Sequence, residues 1–385
     1  MSAKVSGQKV LKQLNEAGYG AYFVGGMVRD TLLGRAIYDA DITTSATPAE
    51  VLALFDKTFA TGLKHGTVTV VMDGVNVEVT TFRLDGKYLD HRWPDDVVFT
   101  RSLAQDLARR DFTINAMAQG LDEVIIDPFN GRQDLKRGLI RAVGVPKMRF
   151  EEDALRILRG IRFVAKLGFD IEAQTLAAMK KGRHLLANLS LERIRKEFEG
   201  ILSDTAHHEK ALKMVRHYQL LEYIPFFSVL ANVKNLDQIK DITSLLNVVA
   251  FELQNPKPFL LEFPLTKDEK KRIQILLALQ NDLLDDRLIL YRFGAEVLYQ
   301  RQLLQCFYRN EKFEYELPTM TINRRADLAL RPKEVMKLLK KPPGPWVGKL
   351  FAEIEEAIIL EKIENTSQSI LKFIKERGIF HVKED

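Results

Sequence analysis

Along the first 140 residues the apolar positions alternate between strand-like and helix-like spacing, and beyond about residue 150 the helical spacing alone persists. "AYFVGG" and "ADITTS" read as short strands, with "MVRDTLLG" between them as a helix. Valine and threonine alternate through "GTVTVVMDGVNVEVTTF", and Asp73-Gly74 in its middle is a two-residue turn signal, so the stretch predicts a hairpin. Together these elements predict a mixed sheet with helices over residues 1 to about 140. From Phe150 onward the patterns are helical, as in "LERIRKEFEGILS" and "EKALKMVRHYQLLEYI", with interruptions at "FELQNPKPFLLEFPLTKDE" and "LKKPPGPWVGKL". The expected fold class is therefore α+β, a sheet-bearing N-terminal part followed by an all-helical remainder in three pieces.

One helical stretch stands out. In "FEEDALRILRGIRF" the charged residues Asp153, Arg156, Arg159 and Arg162 recur at every third position, and Leu155, Ile157, Leu158 and Ile161 fill the places between. At about 100° per residue the charges spread over roughly half the circumference and most apolar residues gather on the other half, which predicts one amphipathic helix. Its charged side reads either as a solvated face or as the wall of a site.

Composition narrows the class. At 385 residues the chain is too long for one ordinary core, and 46% hydrophobic with 28% charged residues is the balance of a globular protein. A single cysteine, Cys306, excludes a disulfide framework and a cysteine-based zinc site, which suits a reducing cytoplasm. No apolar window resembles a signal peptide or a membrane span, so the expected location is cytoplasmic. A net charge of +5 permits a polyanionic partner without requiring one.

Candidate chemistry concentrates in the first part. Gly25 and Gly26 end a strand and open a helix, where no side chain blocks a phosphate from the backbone N–H groups, and Arg29 stands one turn further on. Asp39 and Asp41 are two residues apart in an extended segment and so share a face. Two carboxylates that close either hold a divalent cation with oxygen preference, Mg²⁺ above all, or serve as a turn cap and a solvated group. Glu78 in "VNVEVTTF" is either a third carboxylate, if its strand pairs beside Asp41, or a solvent-facing residue. In "LARRDFTINAMA", Arg109, Arg110 and Asp111 stand just before an expected helix start at Thr113, suited to a triphosphate or to simple capping.

Taken in order, "VGGMVRDTLLGR", "YDADITTSA", "VEVTTFR", "RRDFTINAMA", "IDPFNGRQDLKRGLIRAVG", "RFEEDALRILRGIRF" and "LSLERIRKEFEGIL" resemble the class II tRNA nucleotidyltransferases. These are the CCA-adding enzymes of the DNA polymerase β superfamily, close to bacterial poly(A) polymerases. The resemblance covers roughly the first 205 residues, and "KPPGPWVGKLF" looks like a tail segment of the same family. It implies a nucleotidyltransferase head over 1–140, a helical neck over 141–215, a body over 216–310 and a tail over 311–385. It also implies metal-binding carboxylates at Asp39 and Asp41, and nucleotide contacts at Gly26, Arg29, Arg110, Asp153, Arg156, Arg159 and Arg162. The implied reaction is attack by the 3′-hydroxyl of a tRNA lacking all or part of its CCA on the α-phosphate of CTP or ATP. Pyrophosphate leaves, and no nucleic-acid template takes part.

Base choice then falls to side chains. On one helix Asp153 and Arg156 are a turn apart, about 60° around the axis, so both can reach one base edge. Cytosine and adenine present an amine donor beside a ring-nitrogen acceptor, which a carboxylate and a guanidinium match, whereas uracil and guanine present the reverse. Arg159 and Arg162 point further round and suit phosphates or stacking. The connection "LDGKYLDHRWPDDVVF", with Tyr88, Asp90 and Arg92, corresponds to a loop associated in this family with the switch from C to A addition. A poly(A) polymerase or partial CC- or A-adding enzyme is the nearest alternative, and a non-catalytic RNA-binding protein a remoter one. A homodimer is compatible with the sequence. His207-His208 is read as surface helix, since adjacent helical residues diverge by about 100°. Lys372, Lys375 and Arg377 are candidates for a sequence-indifferent grip on the tRNA backbone.

Overall fold

The computed structural model describes residues 2–85, 97–203 and 206–377. The chain divides into two compact units, Met1–Ile242 with Leu261–Pro264, and Thr243–Leu260 with Leu265–Asp385. Residues 86–96, which hold most of the connection containing Tyr88, Asp90 and Arg92, lie outside the described residues.

The first unit opens with α1 (Ala3–Glu16), whose start is capped by the Ser2 hydroxyl accepting from the Val5 N–H. Val10, Leu11 and Leu14 form its buried stripe. There follow β1 (Ala21–Val24), α2 (Gly26–Leu32), β2 (Ala40–Thr44), α3 (Pro48–Leu54), β3 (Thr58–Gly62), β4 (Thr67–Met72) and β5 (Val75–Thr81). β6 (Arg83–Asp85), β7 (Val97–Phe99), α4 (Leu103–Ala108), β8 (Ala118–Gln119), β9 (Ile125–Ile126), α5 (Gly131–Arg137) and β10 (Leu139–Ile140) complete the segment. The main sheet has seven strands in the order β3-β4-β5-β2-β1-β8-β9. All its pairs are antiparallel except β2 with β5.

The expected hairpin is β4 and β5, with Met72 opposite Val75 across Asp73 (φ 53°) and Gly74 (φ 78°), both left-handed as a tight hairpin turn requires. Alternation along β5 buries Val77, Val79 and Thr81 and turns Asn76 and Glu78 outward. Ile42 of β2 is buried beside Val79, so its neighbour Asp41 faces the other side of the sheet together with Glu78. One expectation fails in this segment. No helix begins at Thr113: Thr113–Asn115 is a single 3₁₀ turn, and the helix is α4, which precedes the arginines. The Thr113 hydroxyl is used by Asp134 at 2.7 Å and caps nothing.

The next elements are α6 (Pro146–Glu152), α7 (Leu155–Leu167), β11 (Asp170–Ile171), α8 (Ala173–Gly182), α9 (Leu191–Ser203) and α10 (His208–His217). The stretch read as one helix is thus two. Asp153 is extended between them (φ −145°, ψ 102°), and its Oδ1 accepts from the Leu155 N–H at 3.1 Å. A short carboxylate that can bond its own following backbone competes with helix continuation, and here it wins. The 60° relation between Asp153 and Arg156 therefore does not hold. The segment is also not purely helical, since β11 pairs in parallel with β10 through Leu139 to Asp170 and Ile140 to Ile171. α7 buries Ile157, Leu158, Ile161 and Val164, and packs on α9, which buries Ile194, Phe198 and Ile201.

α11 (Ile242–Glu252) and α12 (Lys257–Glu262) cross the boundaries between the units. The second unit is helical, with α13 (Lys267–Ala278), α14 (Asp286–Phe293), α15 (Ala295–Arg309), α16 (Pro332–Leu338), α17 (Pro345–Ile359) and α18 (Ser367–Glu376). Its core gathers Leu288, Val335, Phe351, Ile354, Ile358, Ile370 and Ile374. Two of its candidate RNA-gripping cations already have partners in the fold. Lys372 lies 3.9 Å from Glu376, and Arg377 pairs with Glu353 and covers the Phe373 ring.

Candidate active site

The β1–α2 turn is built around Gly25, whose φ of 63° with ψ of −129° is a backbone state that side chains avoid. A Cβ there would sit 3.4 Å from Arg110 Nη1 and 3.9 Å from Asp41 Oδ2. Those are ordinary contact distances, so the demand for glycine comes from the backbone conformation rather than from lack of space, and the turn brings the Arg110 guanidinium and the Asp41 carboxylate near the start of α2. The sequence pattern marks Gly25 and Gly26 together and the resemblance implies a contact at Gly26, which opens α2; the backbone demand for glycine falls on Gly25.

Arg29 is almost wholly buried. Its Nε and Nη2 donate to the Asp30 carboxylate at 2.8 and 2.7 Å, its Nη1 donates to Asn115 Oδ1 at 2.7 Å, and its guanidinium lies 5.4 Å from the Phe163 ring centre. It enters the site as an oriented positive group whose donors are already largely engaged.

Three carboxylates converge on the outward face of the sheet. Asp39 is exposed just before β2, Asp41 is half-buried on β2, and Glu78 stands in register with Asp41 on β5. Burial pushes the Asp41 carboxyl above its usual range, Glu78 and then Asp39 push it the same way, and Arg110 and Arg29 oppose them. Among the described residues no group of three or more histidine, cysteine, aspartate or glutamate side chains forms a ready metal cage. Two close carboxylates with open positions beside them are the donor set expected for a hard cation that is completed by substrate phosphates.

Asp106 organises the arginine pair, and sequence reasoning missed it. It is fully buried and accepts from Arg109 Nε at 2.9 Å, Arg110 Nη2 at 3.0 Å, the Thr43 hydroxyl at 3.2 Å and the Arg83 N–H at 3.3 Å. Burial raises its carboxyl, but Arg110 and Arg109 outweigh that and hold it below the ordinary value. One carboxylate thereby ties β2, β6 and both arginines together. Its spacing of three and four residues from Arg109 and Arg110 was the available signal.

The opposite wall comes from α7 and α9. Asp153 Oδ2 accepts from Arg193 Nη2 at 2.7 Å. Arg156 is buried, with Nη1 on Glu152 Oε2 at 2.8 Å and on the Arg149 carbonyl at 3.0 Å, and Nη2 on the Arg109 carbonyl at 3.2 Å. Arg159 Nε donates to Asp111 Oδ2 at 2.7 Å. Arg162 Nη1 lies 3.3 Å from Glu197 Oε2, and Gly200 makes room for it, since a Cβ there would fall 2.3 Å from Arg162 Cδ. Burial raises the Glu197 carboxyl, against the pull of Arg162 and Arg159. Arg193 and Glu197 lie in "LERIRKEFEGIL", whose helical pattern gives no sign of these pairings.

Between the walls lies a cavity of about 730 Å³, within the range that takes a drug-sized or nucleotide-sized ligand. It is lined by Gly26, Arg29, Asp39, Asp41 and Arg110 on one side and by Asp153, Arg156, Arg159 and Arg162 on the other. Every metal or nucleotide contact that the resemblance implies therefore reaches one cavity, whereas Glu78 stands beside Asp41 without lining it. His207 and His208 stand apart: they open α10, with His208 buried and His207 against Gly168.

A mixed sheet that presents paired carboxylates beside a glycine turn, faced by an arginine-bearing helix, defines a nucleotidyltransferase. The family model of the poly A polymerase head domain matches residues 21–141, and that of tRNA nucleotidyltransferase domain 2 matches 234–374. The chain is 36% identical to the CCA-adding enzyme of Leuconostoc mesenteroides over 97% of its own length and 96% of the relative's. It is 37% identical to that of Geobacillus kaustophilus, over 97% of each. The crystal structure of the Bacillus stearothermophilus CCA-adding enzyme in complex with CTP superposes with a TM-score of 0.81 at 33% identity, covering 98% of both chains. The chain belongs to the family of CCA-adding enzymes.

Proposed function

We propose that this protein builds and repairs the 3′-terminal CCA of tRNA from CTP and ATP, without a template and with release of pyrophosphate. The observation that carries this reading is that the carboxylate face of β2 and the charged residues of α7 line one cavity of nucleotide size. A relative of 33% identity is known in complex with CTP.

Nucleotidyltransferases of this family use divalent metal ions, and the oxygen-only donor set of Asp39 and Asp41, with Glu78 alongside, suits Mg²⁺. Asp39 and Asp41 would hold such ions, a pair in the two-metal form, and the ions would supply the positive charge that offsets charge building up on the reacting phosphate and its leaving group. Arg110, held by Asp106 and aimed over Gly25, offsets phosphate charge beside Asp41. Arg29, fixed by Asp30 and Asn115, adds positive potential at the start of α2. Their orientation is set before substrate arrives, which lowers the cost of organising the transition state.

Base choice is assigned to Asp153 and Arg156. The Asp153 carboxylate accepts from the exocyclic amine shared by cytosine and adenine, and Arg156 donates to the adjacent ring nitrogen. With Asp153 off the helix, the pair acts as two walls of one slot rather than as two steps on one helical face. Arg156 is clamped by Glu152 and two backbone carbonyls, and Arg193 holds Asp153, so the slot resists rearrangement by a mismatched base. Arg159 and Arg162 serve as supporting cations near the phosphates.

In this reading residues 1–140 are the catalytic head, 141–215 the neck that selects the nucleotide, 216–310 the body and 311–385 the tRNA-binding tail. No helix among the described residues is long and apolar enough to cross a membrane, and the proposed location is the cytoplasm. The test is to supply Mg²⁺ and tRNAs ending before CCA, after C or after CC, with CTP, ATP or both. Addition of C, C and A in order, then arrest, supports the reading; long A tails or arrest after CC overturn it.

A further inference from the structure

The cavity is rich in charged groups, yet its rim beside the carboxylates carries an aromatic ring that neither metal nor triphosphate chemistry uses. Tyr38 immediately precedes Asp39, lines the same cavity, and is 83% exposed. Ala36 and Ile37, just before it in the segment between α2 and β2, line the cavity too. Among the described residues no hydrogen bond, ion pair or ring contact engages the Tyr38 side chain. A large exposed aromatic costs solvation of its apolar face, and beside a reaction centre it is suited to a flat partner.

We propose that Tyr38 is the stacking platform for the terminal base of the RNA strand being extended. This rests on the tRNA-extension reading above. The attacking 3′-hydroxyl has to sit at Asp39 and Asp41, and its base hangs from the same ribose, so that base belongs on the head side of the cavity within one residue's reach of Asp39. The incoming nucleotide's base is accounted for on the other side, at Asp153 and Arg156. The end of the growing strand also changes identity at each step: first whatever base precedes CCA, then C, then C again. Hydrogen-bond readout of one base edge would fail across such a series. A π-face is common to all bases, and stacking is tolerant of sequence for that reason.

The test is steady-state kinetics of the full-length protein on tRNAs ending before CCA and after the first C. Because Tyr38 is exposed, Tyr38→Ala keeps the wild-type Tm. Its KM for tRNA rises about tenfold, the scale of one lost base–aromatic stack, with the same rise for both primer ends, while kcat and the KM for CTP stay within about twofold. Tyr38→Phe restores the wild-type KM, since the ring and not the hydroxyl is the platform. An unchanged KM for tRNA in Tyr38→Ala, a rise confined to the KM for CTP, or a Tyr38→Phe variant as impaired as Tyr38→Ala each overturns the proposal. An active wild type with any of those outcomes sinks the Tyr38 assignment alone, whereas a wild type that extends no tRNA sinks the parent reading and this proposal with it.

Discussion

Arg159 on α7 donates to Asp111 at 2.7 Å, and Asp111 in turn accepts from Asn115, whose own carbonyl oxygen receives Arg29. One hydrogen-bonded chain thus runs from α7 to the arginine behind the glycine turn. Its centre is strongly biased. Asp111 is buried, which raises its carboxyl, but Arg159, aided by Asn115 and Arg156, pulls it down to about 2.

That depression sets a pH dependence. A carboxyl lowered in the folded state contributes stability that is present above its unfolded value near 4 and is lost as pH falls towards the folded value of about 2. The contribution is on the order of 2 kcal/mol. Thermal unfolding between pH 5 and pH 2 is expected to show a corresponding fall in the Tm of the first unit. In Asp111→Asn the protein starts less stable at pH 7, and the part of the slope due to this group disappears. A variant with the wild-type acid profile would remove Asp111 as its source.

The carboxylate pair makes a prediction of opposite sign. Asp41 is destabilised as an anion by burial and by its neighbours Glu78 and Asp39. Asp41→Asn removes that repulsion and is expected to leave the Tm in the absence of metal unchanged or slightly raised, while product formation is lost for every tRNA end. Calorimetry and a primer-extension gel read the two effects separately. Residual extension above background would displace Asp41 from the metal site.

What could be read from the sequence divides along the range of the interactions. The β4–β5 hairpin was legible because Asp73-Gly74 and the flanking alternation act within a few residues. The place of Glu78 was not, because it depends on β2 pairing in parallel with β5 across the intervening α3, β3 and β4, a register that local pattern does not encode. The break at Asp153 escaped notice because the periodicity of charges continues through it, while the competing bond to Leu155 is invisible in a helical wheel. Of the buried polar residues that hold the cavity's arginines, Asp106 left a local trace in its spacing to Arg109 and Arg110, whereas Asn115 and Glu197 meet Arg29 and Arg162 across other elements, and composition carries no sign of those contacts.

Asp106 supplies the third prediction. Asp106→Ala leaves Arg109 and Arg110 without their shared counter-ion, but both line the cavity and keep some solvent contact, so the cost is expected at or below the ~3 kcal/mol lower end for a fully buried pair. Asp106→Asn keeps the shape and some acceptor capacity and is expected to cost less. In the asparagine variant Arg110 is no longer held over Gly25, so the KM for CTP and ATP rises while the KM for tRNA does not. Denaturant unfolding and nucleotide titrations distinguish this from a general loss of structure, which would depress all parameters together.

The last prediction concerns base choice, where the two arginines beside Asp153 differ in kind. Asp153→Ala removes the acceptor for the exocyclic amine, and leaves a polar slot that no longer penalises a carbonyl there. Mispairing of one buried polar group costs about 1–3 kcal/mol, so the preference for CTP over UTP and for ATP over GTP is expected to fall by tenfold or more. Arg193→Ala acts differently, because Arg193 touches Asp153 at 2.7 Å and orients it. Its loss frees the carboxylate without deleting it, so kcat/KM for the correct nucleotides drops while part of the discrimination survives. Arg156→Lys keeps a positive charge but cannot bond Glu152 and the two carbonyls in one plane, and is expected to lose selectivity as Asp153→Ala does. If Arg193→Ala erased selectivity and Arg156→Lys preserved it, the roles assigned to the two arginines would have to be exchanged.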